Sequence, residues 1–380
     1  MSRPTYTSKV ELDSVTRGAA AAFDYGSGSQ GTHVQFNGTR TFIGWEKPVL
    51  PDNFSIGLIV GPSGSGKTLL LHQFGKEETP QWKTNKAVAS EDHFIDTEDA
   101  IQRLSAVGLN SVPSWCSPYR VLSNGEKFRA DCARKLKNGA VIDEFSSVVD
   151  RTVAKSISVA IRRYADNGGV KNLVLASCHY DILEWLIPDW YFDTTTGILS
   201  DGRLLRRPNI LIRVYPCKRS LWRLFASHHY YSQEIGTASR TFVATVKLDG
   251  SEELAGFVAS LPMPSGTLIN AWRASRTVVL PDFQGMGIGP RISDMVAELH
   301  KSEGKRYYSK TTSDRLGGWR NAEHTCDKCG HQHYFWVGTS KSGVKGGKRI
   351  YVRPDTKAAI NGYGGKRRDG YYSHEFIGCN

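Results

Sequence analysis

Long apolar runs are missing from this sequence: none reaches the roughly 18 uninterrupted apolar residues that a membrane-spanning helix needs. That excludes the membrane part of a transporter. Arg3, Lys9, Glu11, Asp13 and Arg17 break up the first 30 residues, so the apolar core of a secretory signal is absent too, and a cytoplasmic protein is expected. Cysteine is also sparse. The seven residues, at 116, 132, 178, 217, 326, 329 and 379, are too scattered for a disulfide framework. They read as one metal-type pair, Cys326 and Cys329, four reduced thiols, and a Cys379 that carries no reading.

What is present is 380 residues, long enough for two or three domains, with an ordinary globular composition of 39% hydrophobic and 23% charged residues. The net charge of +12 is unevenly placed: residues 301–380 hold 16 Lys+Arg against 7 Asp+Glu. Basicity concentrated in one segment points to a polyanion such as nucleic acid, or to a solvated tail.

"FSIGLIVGPSGSGKTLLLHQF" reads as a buried strand, a glycine-rich turn and a helix start, and Gly61–Thr68 matches G-x-x-x-x-G-K-T in full. Gly61, Gly64 and Gly66, with Ser63 and Ser65 between them, let backbone amides turn inward. Lys67 reaches the β- and γ-phosphates of ATP, and Thr68 is placed to hold Mg²⁺. Further on, "LKNGAVIDEFSSVVDR" gives an apolar strand ending at Asp143, a second Mg²⁺ candidate, and Glu144, placed to polarise an attacking water. Between them "LSNGE" opens an amphipathic helix, where Ser123 and Gly125 present a hydroxyl, an amide and a helix dipole to an anion.

After residue 205 the pattern starts again. "NILIRVYP" predicts a strand and "SLWRLFASHHYY" a helix with an apolar face. "RTFVATVKLDGSEELAGFVASL" predicts a hairpin across Asp249-Gly250. "RTVVLPDFQGMGIGPRISDMVAELHKSEGK" predicts strand, glycine turn and long helix, and "RYYSKTTS" a last strand. The turn Gln284-Gly285-Met286-Gly287-Ile288-Gly289 fits Q/R-x-x-G-x-G. It offers amides and a helix end without the lysine and hydroxyl of the first loop, which suits a coenzyme pyrophosphate.

These motifs carry a resemblance. Residues 45–205 resemble the ABC-type ATPases, with "LSNGE" as signature, Ser147–Asp150 as D-loop and His179 of "LVLASCHYD" as switch histidine. No Q-loop is evident between P-loop and signature, which points away from a transporter. Residues 209–315 resemble the GNAT acetyltransferases, and the pairing resembles a family of ABC-type ATPases fused to a predicted acetyltransferase domain, with archaeal, bacterial and phage members. "HHYYS" also resembles Mom-type phage DNA modifiers.

The resemblance implies an α/β protein: an N-terminal segment (1–44), an ABC-type P-loop ATPase domain (45–205), a GNAT-like mixed α/β domain (206–320) and a small basic C-terminal segment (321–380). It implies a head-to-head homodimer in which Ser123 and Gly125 act in trans, and acetyl-CoA as acyl donor. His229 and Tyr231, within "FASHHYYSQ", are the candidates for acid–base work, against a packing or capping role. "EHTCDKCGHQHYFW" makes Cys326, Cys329, His331 and His333 a candidate Zn²⁺ knuckle, against a plain turn. The leading expectation is ATP-dependent acylation of nucleic acid or a nucleic-acid-bound target. A non-catalytic ATP-dependent DNA- or RNA-binding machine, a Mom-like base modifier and a protein or small-molecule N-acetyltransferase stay open.

Overall fold

The computed structural model describes residues 4–11, 13–22, 39–229, 234–248, 252–264, 268–311, 314–326, 329–339, 348–350 and 370–378. In chain order the elements are β1 (Thr5–Lys9), α1 (Ser14–Ala22), β2 (Thr39–Ile43), β3 (Ile56–Val60), α2 (Lys67–Leu71), α3 (Thr97–Ala106), α4 (Val112–Trp115) and α5 (Asn124–Lys135). Then come β4 (Val141–Ile142), α6 (Arg151–Asp166), β5 (Leu173–Ser177), α7 (Leu183–Leu186), β6 (Trp190–Asp193) and β7 (Ile198–Asp201). The second half gives β8 (Leu211–Pro216), β9 (Arg240–Lys247), β10 (Glu252–Pro262), β11 (Ala271–Val279), α8 (Ile288–Ser302), β12 (Arg306–Thr311) and α9 (Asp314–Arg320). Five short strands follow: β13 (His324–Thr325), β14 (Gln332–His333), β15 (Trp336–Gly338), β16 (Lys348–Ile350) and β17 (Gly370–Phe376).

The chain forms two compact units, neither of them one continuous stretch. The first takes Met1–Pro80, Lys135–Val148 and Tyr164–Arg206; the second takes Gln81–Arg134, Val149–Arg163 and Arg207–Asn380.

The first unit is built on a five-stranded sheet in the order β4-β5-β3-β6-β7, in which only β7 runs antiparallel to its neighbour. All five residues of β3 and of β5 are buried, which is why both read as unbroken apolar runs rather than alternating ones. Ile59, Leu70, Leu71, Val141, Val174 and Trp190 make the core between this sheet and α2. The parallel strands all end on one edge, so the loops after β3, β4, β5 and β6 share that edge, where open α/β sheets take their ligands.

The second unit carries a sheet in the order β15-β17-β12-β11-β10-β9-β8, with β16 also on β17. β9 and β10 pair antiparallel as the expected hairpin, whose turn lies outside the described residues. β11 and β12 are the parallel neighbours here, and their pairing stops early. Only Ala271–Arg273 meet Arg306–Tyr308, although β11 continues to Val279 and β12 to Thr311. Beyond that point the two strands diverge. α8 buries Ile288, Ile292, Val296 and His300 at four-residue spacing, and His300 is satisfied by the Val296 carbonyl at 2.9 Å and Ser260 Oγ at 3.1 Å.

One expected element differs. "SLWRLFASHHYY" is not an α-helix but two 3₁₀ turns, Arg219–Leu224 and Ala226–His228. Trp222 and Phe225 both pack on Phe257, with ring centroids 5.2 and 5.3 Å away. They are three residues apart, and a 3₁₀ turn stacks i over i+3 whereas an α-helix offsets them.

Candidate functional site

Two clusters of chemistry-bearing residues emerge, one in each unit. In the first, the turn after β3 is held open by left-handed glycines: Gly61 (φ 148°), Gly64 (φ 78°) and Gly66 (φ 91°), the last capping α2. At Gly61 a Cβ would stand 1.9 Å from Thr194 Oγ1, so no larger residue fits. Thr194, at the end of β6, ties the turn down: its hydroxyl meets Ser65 Oγ at 2.6 Å and donates to the Val60 carbonyl at 3.0 Å. Trp45 Nε1 donates to the Ser65 carbonyl at 3.0 Å. Ser63 stands exposed within the same turn. Lys67 is buried and folds back to donate to the Pro62 carbonyl at 2.8 Å.

Thr68 Oγ1 donates to Asp143 Oδ2 at 2.7 Å. Two hard oxygen donors from separate motifs thus converge on one point, the donor set Mg²⁺ prefers. Glu144 follows with φ 49°, and Ser146 with φ 72°. Non-glycine residues in the left-handed region cost of order 1 kcal/mol and concentrate at functional turns. The strain leaves the Glu144 side chain exposed beside the turn. His179, after β5, meets Ser146 Oγ through Nδ1 at 3.3 Å, and its amide donates a hydrogen bond to Ser177 Oγ at 3.1 Å. Lys67, Thr68, Asp143, Glu144 and His179 therefore lie on loops of the same sheet edge.

Ser123 and Gly125 lie in the second unit, at the start of α5. Ser123 and Glu126 form a capping box: the Ser123 amide and hydroxyl both donate to Glu126 Oε2 at 2.9 Å, and the Glu126 amide donates back to Ser123 Oγ at 3.3 Å. Burial works against the Glu126 carboxylate, but hydrogen bonds from Ser114 and Ser123 outweigh it and hold its pKa below the usual range. Ser123 stays exposed at the helix tip. Arg129, one turn on, is buried; it donates to the Gly108 carbonyl at 2.9 Å and Ser156 Oγ at 2.7 Å. Burial lowers its pKa to about 10, against the pull of Asp282, Asp150 and Glu126.

The second glycine turn opens α8. Gly285 (φ 93°) and Gly287 (φ 84°, the cap of α8) are left-handed, Met286 and Ile288 are buried, and Gly289 lies in the first helical turn. Gln284 Nε2 donates to the Val279 carbonyl and its Oε1 accepts from the Asn110 amide, both at 2.9 Å, which pins the turn to the end of β11. The free amides of the first turn of α8 thus sit beside the gap between β11 and β12. His229 packs edge-on against Trp222 at 5.8 Å, and burial, with Arg276 nearby, lowers its pKa to about 4. Tyr231 lies outside the described residues.

The zinc expectation finds no support among the described residues. Among the described residues no group of three or more His, Cys, Asp or Glu gathers where it would hold a metal. Cys329 Sγ meets His333 Nε2 at 3.1 Å, but Cys326 is buried while His331 points to solvent. His324 is drawn away to stack on Trp319 at 3.6 Å. The basic stretch behind the nucleic-acid expectation, 340–369, lies outside the described residues apart from β16.

Thr194, Arg129, Arg163 and Trp45 are site-shaping residues that the motifs did not flag. Only Arg129 left a local trace, as a charge inside the apolar stripe of α5.

No protein-family model and no curated protein matches the chain. Among solved structures it is similar to a dimeric bacterial ABC transporter cassette, at 12% identity over 43% of this chain and 93% of that one, with a TM-score of 0.33. It is also similar to the ribosomal-protein-S18-alanine N-acetyltransferase of Escherichia coli, at 12% identity over 45% of this chain and 96% of that one, TM-score 0.28. A Bacillus subtilis acetyltransferase in complex with CoA gives 13% identity over 44% of this chain and 98% of that one, TM-score 0.27. At such scores the likenesses carry no functional argument.

Proposed function

We propose that this chain is an ATP-hydrolysing, acyl-CoA-dependent N-acyltransferase. The observation that carries the acyl-transfer half is the glycine turn opening α8 beside the gap between parallel β11 and β12. A pantetheine arm fits such a gap, because among the described residues the facing strand edges there pair with no strand, and the amides of 286–289 suit a pyrophosphate. Gln284 fixes where that turn sits. His229 is the candidate base for the incoming amine, a weak one while burial lowers its pKa to about 4, and Tyr231 the candidate acid for the departing thiolate.

On the ATPase side the amides of 61–68 and Lys67 hold the phosphates, and Thr68 and Asp143 hold Mg²⁺. When bound there, the ion would supply positive charge that offsets the charge on the phosphates. Glu144 orients and polarises the attacking water, and His179 reports on the γ-phosphate. Ser123, exposed at a capped helix tip, and the half-buried Gly125 read as the trans contact of a head-to-head homodimer.

The acceptor we propose is nucleic acid or a nucleic-acid-bound target, on the strength of the charge in residues 301–380. ATPase stimulation by DNA or RNA that disappears at high salt is the expected behaviour; no stimulation at low salt removes that acceptor. The acyltransferase reading is tested by calorimetric titration of acetyl-CoA. The wild type should bind and Gly287→Glu, which sets a carboxylate in the cradle, should not; a wild type that takes no acetyl-CoA refutes the reading.

A further inference from the structure

The acyl-CoA turn is gripped from outside the acyltransferase sequence. Arg163, on α6, donates Nη1–H to the Gly285 carbonyl at 3.1 Å and Nη2–H to the Met286 carbonyl at 3.4 Å. Ser156, Ala160 and Arg163 follow at four- and three-residue spacing, so one face of α6 meets the turn. The approach is close: a Cβ on Gly285 would stand 2.9 Å from Ala160 Cβ, and one on Gly287 3.1 Å from the Arg163 guanidinium. α6 begins seven residues after Glu144 in the chain, within the ATPase part of the sequence.

The direction of those two hydrogen bonds has a consequence. In a trans peptide the C=O and the N–H of one unit point opposite ways. Holding the carbonyls of Gly285 and Met286 toward Arg163 therefore aims the N–H groups of Met286 and Gly287 away from it. They join the N–H groups of Ile288 and Gly289, which a helix start leaves without intrahelical partners. Without the arginine the two peptide units, each beside a left-handed glycine, are free to flip.

We propose that Arg163 is a positioning residue for acyl-CoA: it holds the carbonyl side of the turn and so sets the amide side to receive the pyrophosphate. This rests on reading the turn as the acyl-CoA cradle. The function is distinct from that of Gln284, which fixes where the turn sits rather than which way its amides face.

The test titrates full-length wild type, Arg163→Ala and Arg163→Lys with acetyl-CoA and with acetyl-pantetheine, which keeps the thioester but lacks the pyrophosphate. Arg163→Ala should bind acetyl-CoA about tenfold more weakly, the order expected for losing one charge-assisted hydrogen bond. Acetyl-pantetheine affinity and ATP affinity should stay at wild-type values, with a drop of no more than a few degrees in melting temperature, and Arg163→Lys, able to hold one carbonyl, should recover part of the loss. An Arg163→Ala protein that binds acetyl-CoA as tightly as wild type overturns the proposal. So does one that loses both ligands equally, since that is loosened structure rather than misaimed amides. A wild type that binds no acetyl-CoA sinks the cradle reading itself, and this proposal with it.

Discussion

Gly285→Ala tests the packing on which the second site depends, and its size follows from two terms. Gly285 has φ 93°, and an alanine held in the left-handed region costs about 1–2 kcal/mol. Its Cβ would stand 2.9 Å from Ala160 Cβ and 3.0 Å from Gly108 Cα, neither of which can swing aside, and such overpacking costs about 1–3 kcal/mol. The substitution should therefore destabilise the protein by about 2–5 kcal/mol. Ala160→Gly alone should cost about 1 kcal/mol in helix propensity. Together they should cost less than their sum by about 1 kcal/mol, because the Cβ–Cβ overlap is gone while the conformational term and the Gly108 contact remain. Urea denaturation followed by far-UV circular dichroism on the four proteins closes the cycle. Additivity within about 0.3 kcal/mol would mean that α6 does not lie against the turn, and the amide-aiming argument would fall with it.

Glu144→Gln should trap an ATP-bound dimer: sedimentation with Mg-ATP should show a doubled mass, and a mass unchanged by ATP would refute the trans signature contact. Thr194→Val removes the hydroxyl that bridges Ser65 and Val60. It should cost about 1 kcal/mol of stability and raise the KM for ATP several-fold, while acetyl-CoA affinity stays put. His374 is buried, and burial, with Arg320 nearby, lowers its pKa to about 4. The unfolded chain then takes up the proton first, so stability is full above about pH 6.5 and is lost as the pH falls toward 4. Between pH 7.5 and 5 this group alone should remove about 2 kcal/mol, and His374→Gln should flatten that part of a pH–stability profile; an unchanged slope would place the loss elsewhere.

The readable parts were those written in consecutive residues. Strand, glycine turn and helix start appear together in "GLIVGPSGSGKTLLL", and the backbone adopts them there because apolar run, left-handed glycines and cap leave little else. The capping box of Ser123 and Glu126 is likewise complete within four residues. What escaped depends on distant partners. Thr194 lies 129 residues from the Ser65 hydroxyl it holds, and Arg163 lies 122 residues from Gly285. No local pattern distinguishes either from a surface residue. The "SLWRLFASHHYY" stretch misled for a related reason: its apolar spacing suits a helix, but both aromatic anchors seek one ring, Phe257, and tighten the turn to reach it. The cysteine–histidine cluster has the spacing for a metal, yet among the described residues no three ligands gather there.

The interleaved path of the chain bears on its biosynthesis. It passes between the units at 80/81, 134/135, 148/149, 163/164 and 206/207, and β17, from residues 370–376, lies between β12 and β15. Residues 81–134 therefore leave the ribosome long before the strands of their own unit exist. A nascent chain paused after β7 holds a complete first sheet, whereas the glycine turn that meets Ser156 and Ala160 of α6 is still to be made. Such an intermediate is a form in need of chaperone protection, and no single cut in the gene separates the two units.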